Sequence, residues 1–198
     1  MRAKDVYGWT PKDYTNPSSL LEWTLAFGAH LEARNGKRYT ALYDFAFNGD
    51  LEAVRSLLWQ NADIEAVGYW ERTPLMEASD HGHVEVVKLL LARGAISEKT
   101  DDHKGTAIIL AGWHGHTRVA EQLLDNGDNG AKIYAQNQYV YTALAETCSH
   151  GHEEMARRLL QRGAEIETYH RRLCATAPSS PEWLYQYRLR STRSWCKG

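Results

Sequence analysis

The sequence predicts an all-α solenoid of helix–turn–helix repeats, and three observations lead there. A threonine recurs at Thr40, Thr73, Thr106 and Thr142, and the first two intervals are both 33 residues. A Gly-Ala or Asn-Ala pair recurs at Gly28-Ala29, Asn61-Ala62, Gly94-Ala95, Gly130-Ala131 and Gly163-Ala164. Between the two marks, apolar residues fall at spacings of three and four, the pattern of helices with one buried face. Self-similarity at such a period marks stacked units that bury their faces against one another.

The clearest unit runs from Thr73 to Ala95. Thr73-Pro74 suits a helix start, because proline at the first helical position gives up an N–H that had no partner. Gly82-His83 makes the turn between two short helices, and Gly94 supplies a left-handed C-cap. Thr73-Pro74-Leu75, Ala78, Gly82-His83, Val87, Leu90-Leu91 and Gly94-Ala95 together resemble an ankyrin repeat. The resemblance implies about five repeats, near 5–34, 35–67, 68–100, 101–136 and 137–169, with short β-hairpin tips.

The elements follow in order. Asp5-Val6-Tyr7-Gly8-Trp9-Thr10-Pro11 matches the family's D-x-x-G-x-T-P opening, but Thr10 to Gly28 is three residues shorter than Thr73 to Gly94. This first repeat therefore has a curtailed first helix, as terminal repeats often do. Ser19 and Glu22 are spaced as a capping box for its second helix. The later second helices carry the stripes Leu51, Val54, Leu57, Leu58; Val84, Val87, Leu90, Leu91; Val119, Leu123, Leu124; and Met155, Leu159, Leu160. Ala46, Ala78, Ala111 and Thr147 mark close helix approaches. The last threonine interval is 36 residues, and the extra three lie in Asp125-Asn126-Gly127-Asp128-Asn129-Gly130. Residues 170–198 leave the pattern: Ser180-Pro181-Glu182 opens a capping helix, Trp183 to Arg190, in a tail of net charge +5 against −7 for the rest.

Composition narrows function. A net charge of −2 predicts no general affinity for nucleic acid or acidic membranes. Three cysteines without C-x-x-C spacing suggest neither a disulfide framework nor a zinc site. No apolar run approaches the length of a membrane span, and the N-terminus lacks a secretory apolar region, so a cytoplasmic monomer is the expectation. Seven Trp and eleven Tyr against three Phe favour surfaces where rings pack while their polar edges meet a ligand.

The resemblance implies a concave surface lined by tips and first helices. Residues four, seven and eight after each threonine share a helix face: Asp44, Phe47, Asn48; Glu77, Asp80, His81; Leu110, Trp113, His114; and Glu146, Ser149, His150. The tips add Tyr39, Tyr69, Trp70, Arg72, Tyr139 and Tyr141. His83, His116 and His152 follow the turn glycine, where the family's residues are structural. His81, His114 and His150 come from successive repeats, too far apart to share a metal whose ligands must lie about 2 Å away. No metal or other cofactor is expected.

The family's Thr-Pro-Leu-His histidine is absent throughout, replaced by Tyr43, Met76, Ile109 and Ala145, which implies weaker ties between repeats. Two functions are open. The first is an interaction module that binds a protein partner through Tyr39, Phe47, Tyr69, Trp70, Arg72, Trp113, Tyr139, Tyr141 and His150. The alternative is a cofactor-independent small-molecule enzyme, an isomerase, cyclase or lyase, using Glu77, Asp80, His81, His114 and Asp44 as acids and bases.

Overall fold

The computed structural model describes residues 32, 34, 39–126 and 131–165. The first repeat (residues 32 and 34 excepted), residues 127–130 of the inserted loop and the basic tail with its expected capping helix lie outside them. Eight α-helices stand among the described residues: α1 Ala41–Asn48, α2 Leu51–Trp59, α3 Pro74–Asp80, α4 Val84–Ala92, α5 Ala107–His114, α6 Thr117–Leu124, α7 Ala143–Ser149 and α8 Glu153–Gln161. They form four helix pairs. First helices α1, α3, α5 and α7 stack on one another, as do second helices α2, α4, α6 and α8. No described helix is long and apolar enough to cross a membrane.

Each first helix starts at its threonine. The hydroxyls of Thr40, Thr73 and Thr142 accept from the backbone N–H of Tyr43, Met76 and Ala145, each at 3.3 Å. Thr106 has the same extended backbone, but its buried hydroxyl has no hydrogen-bond partner. The expected stripes form the core: Leu57, Leu90, Leu123 and Leu159 are fully buried, whereas Leu51, Val84 and Leu124 at the helix margins are half-buried. Ala46, Ala78, Ala111 and Thr147 are buried where first helices meet. Gly112 belongs with them, since a Cβ there would lie 2.8 Å from the Ala143 carbonyl of the next first helix.

The Gly-His turn explains how the pairs stack. His83, His116 and His152 open their helices without capping them. Instead each Nε2–H donates backward to the preceding repeat, to the carbonyls of Phe47 (2.9 Å), Asp80 (3.0 Å) and Trp113 (2.9 Å). Each ring thereby lies over the preceding turn glycine. A Cβ on Gly49, Gly82 or Gly115 would fall 2.4, 2.6 or 2.5 Å from it, inside any allowed contact. The glycine thus serves a left-handed backbone and the space its neighbour's histidine occupies. Gly94 is left-handed too, but has nothing within 4 Å.

The tips are turns with two backbone bonds each: Gly68 N–H to Arg72 O and Arg72 N–H to Tyr69 O, Asp101 to Gly105 and Lys104 to Asp101, and Asn137 to Tyr141 and Val140 to Asn137. Adjacent tips are joined by Asp102 N–H to Trp70 O and by Gln138 N–H to His103 O. Two such bonds are too few for a ladder, and no strand forms among the described residues. In the loops after the second helices, the carboxylates of Glu32, Glu65 and Glu98 accept from the backbone N–H of Asp63, Ile96 and Lys132, one repeat on.

Gly94→Ala is expected to cost about 1–2 kcal/mol for its left-handed backbone alone. Gly82→Ala should cost more, and the excess should vanish in a His116→Ala background. Urea denaturation of the four variants measures this; an excess that survives His116→Ala would mean the ring is not what excludes the side chain.

Candidate functional site

The residue seven places after a threonine meets the histidine eight places after the next threonine at every described junction. Phe47 packs on His81 with ring centroids 4.2 Å apart, and Trp113 on His150 at 4.4 Å. Between them Asp80 Oδ1 faces His114 Nε2 at 3.2 Å. The turn histidine of the next repeat holds the carbonyl of the same residue, so both backbone and side chain at that position are gripped from one repeat on.

The middle of the face is an ion-pair cluster around Arg72. Its Nη1 donates to Asp80 Oδ2 at 2.8 Å and lies 3.5 Å from Glu77 Oε1, and its Nε is 3.5 Å from Asp101 Oδ2 in the next tip. The guanidinium also covers the Trp70 ring, 5.1 Å from its centroid. Burial works against the Arg72 charge, but Asp80, Glu77 and Asp101 outweigh it and hold the group above its ordinary pKa. Glu77, buried in α3, accepts from the Tyr43 phenol at 2.7 Å and faces His81 Nδ1 at 3.7 Å. Burial first, and then the bond to Glu77, push Tyr43 far above the ordinary tyrosine range. Tyr39, stacked on Tyr43 at 4.5 Å, is raised by burial and by Glu77 and Asp44.

The expected acid–base group Glu77, Asp80, His81 and His114 is therefore brought together, while Asp44 stands one repeat before it on α1. Arg72, expected at the groove surface, is instead turned inward, because three carboxylates surround it. Glu77 is not partly sheltered but 4% exposed. Sequence reasoning missed Tyr43 and Asp101 as members of the cluster. Tyr43 was visible as the residue at the absent histidine's place, and the phenol supplies a tie between repeats there.

Of the expected rings, Phe47, Tyr69, Trp70, Trp113 and Tyr139 are exposed, and Tyr39 and Tyr141 are half-buried. Trp70 is 45%, Trp113 48% and Tyr139 60% exposed, with Tyr69 beside Trp70 at a 4.4 Å ring separation and Tyr141 at 6.4 Å from Tyr139. In the tips, Glu71, Lys104 and Val140 have φ of 56°, 58° and 66° at the place that Gly8 takes in the Asp5–Pro11 stretch. Positive φ in a β-branched residue is strained. Val140 is exposed, so no core packing requires it there.

A family model described as Ankyrin repeats (3 copies) matches residues 13–101 and 95–170. The chain belongs to the ankyrin repeat family. No curated protein matches it. Ankyrin repeats are generally protein-interaction modules. The charges of this array are unevenly distributed. Segments 39–48, 68–81, 101–114 and 137–150, the first helices and their tips, hold seven Asp or Glu against two Lys or Arg. The remaining described residues hold twelve against ten.

Glu146 in the last described repeat is 2% exposed, and burial raises its carboxyl above the ordinary value of 4.5 against the opposing pull of Asn137 and His150. A raised folded pKa favours the fold below the unfolded value and loses that contribution as pH rises through the folded one. Glu146→Gln should therefore stabilise the protein at pH 7 and not below about pH 4, as thermal unfolding at both pH values tests. Val140→Gly should add about 1 kcal/mol by relieving its backbone, measurable by urea denaturation.

Proposed function

We propose that the array binds a basic segment of a protein partner along the face formed by the first helices and tips. The observation that carries this reading is the coincidence of that face's acidic excess with its exposed rings. Trp, Tyr and Arg are the usual anchors of protein interfaces, and cationic side chains are drawn to aromatic faces. Strain retained at Glu71, Lys104 and Val140 supports it, because strained residues cluster where side chains are used. Phe47, Tyr69, Trp70, Trp113, Tyr139, Tyr141 and His150 form the contact surface, and Tyr39 flanks it. Arg72 acts from beneath by holding Glu77, Asp80 and Asp101 in place.

Acid–base catalysis by the same cluster is the less favoured reading. A general base must face its substrate, and Glu77 is already engaged by Tyr43 and Arg72.

The test is titration with a pool of Lys- and Arg-rich synthetic peptides and, as control, a pool rich in Asp and Glu. Binding is expected only for the basic pool, weakening with salt. Trp70→Ala with Trp113→Ala should abolish it while leaving circular dichroism unchanged. Preference for the acidic pool would overturn the partner chemistry, and unfolding of the double variant would place the rings in the core.

A further inference from the structure

The Thr73 and Thr142 repeats carry the same framework with one difference. Glu77 and Glu146 stand four residues after their threonines, both buried. His81 and His150 stand over them alike, with Nδ1 donating to the carbonyl of its own glutamate at 3.0 Å in both and facing the carboxylate at 3.7 and 3.8 Å. Trp70 and Tyr139 occupy matching tip positions, three residues before the threonine. In the Thr73 repeat the next tip residue but one is Arg72, whose guanidinium covers Trp70 and lies 3.5 Å from Glu77. In the Thr142 repeat that residue is Tyr141, and Ile109 stands where Tyr43 gives Glu77 its phenol. Glu146 is left with the Asn137 amide at 3.0 Å and His150, and with no Lys or Arg among the described residues.

A buried carboxylate that lacks a cation is costly, and packing does not require one here. The Thr106 repeat fills the same place with Leu110, also buried. Something other than the core accounts for Glu146. Resting on the basic-partner reading above, the geometry points to a guanidinium subsite at Glu146 that an arginine of the partner fills as Arg72 fills its counterpart. The subsite lies beside His150, with the Trp113 ring packed on it, and beside Asn137, which holds the Tyr139 backbone. Arginine suits it better than lysine, because a planar guanidinium stacks on a ring and presents a donor fork to a carboxylate at once.

The full-length protein is titrated by calorimetry with acetyl-hexa-arginine amide and with its hexa-lysine counterpart. The arginine peptide is expected to bind more tightly. Glu146→Gln should weaken it about tenfold or more, the loss of one charge-assisted contact, while Glu154→Gln on the outer helix α8 leaves it unchanged. Tyr141→Arg, which supplies the guanidinium from within, should weaken binding likewise. Glu146→Gln should unfold at no lower temperature than the parent, so a loss of binding is not a loss of fold. Equal affinity of Glu146→Gln and parent would overturn the subsite and leave the acidic face as the binding surface. Failure of the parent to bind either peptide at low salt would overturn the basic-partner reading with it. A gain in affinity on Arg171→Gln with Arg172→Gln would assign the subsite to the chain's own arginines and overturn the partner assignment.

Discussion

The hydrogen bond from each turn histidine to the carbonyl of the preceding repeat is the constraint on which the rest depends. It sets how far one helix pair sits from the next, and it requires glycine beneath each ring. Because the accepting carbonyls belong to Phe47, Asp80 and Trp113, the same bond fixes where those three side chains stand. The core and the face of first helices and tips are thus set by one contact repeated three times.

The absent histidine of the first helices changes what those helices hold, not whether the repeats are tied. Tyr43 reaches Glu77 in the next repeat, Met76 accepts through sulfur from its own Thr73 N–H, and Ile109 and Ala145 pack in the core. One polar tie is kept, and it is spent on a buried carboxylate. Three carboxylates around a single arginine leave an excess of negative charge that His81 and His114 border. This arrangement suits a surface that attracts cations and keeps its acids oriented.

The tips show a second trade. Left-handed backbone at Glu71, Lys104 and Val140 would be relaxed by glycine, yet side chains are present. Exposed Val140 between Tyr139 and Tyr141 makes the last described tip the most apolar, beside a buried carboxylate that no Lys or Arg reaches among the described residues. Strain, exposed rings and an undercompensated charge coincide there, and none of them serves the core.

Much of the fold was legible because it rests on local rules. Thr-Pro starts, left-handed glycines and stripes of period 3.6 act within a few residues, so Leu90, Ala78, Gly94 and even Asn61, with its positive φ of 65°, were readable one by one. Repetition extended the reading to the face, since equal offsets from each threonine place Phe47, Trp113 and the three histidines in line. The sequence could not say which members of that face turn inward. Arg72 was grouped with the surface rings and Tyr43 was read only as the residue in place of the absent histidine, but the carboxylates of Glu77, Asp80 and Asp101 converge only when successive repeats are stacked. Their combined field holds the guanidinium over Trp70, and Glu77 accepts the Tyr43 phenol. The sequence by itself determined the repeat, its register and its exposed rings; only the tertiary structure decided which charges satisfy one another and that Glu146 lacks what Glu77 has. The reason is physical: propensity and periodicity act along the chain, whereas compensation of charge is settled across it.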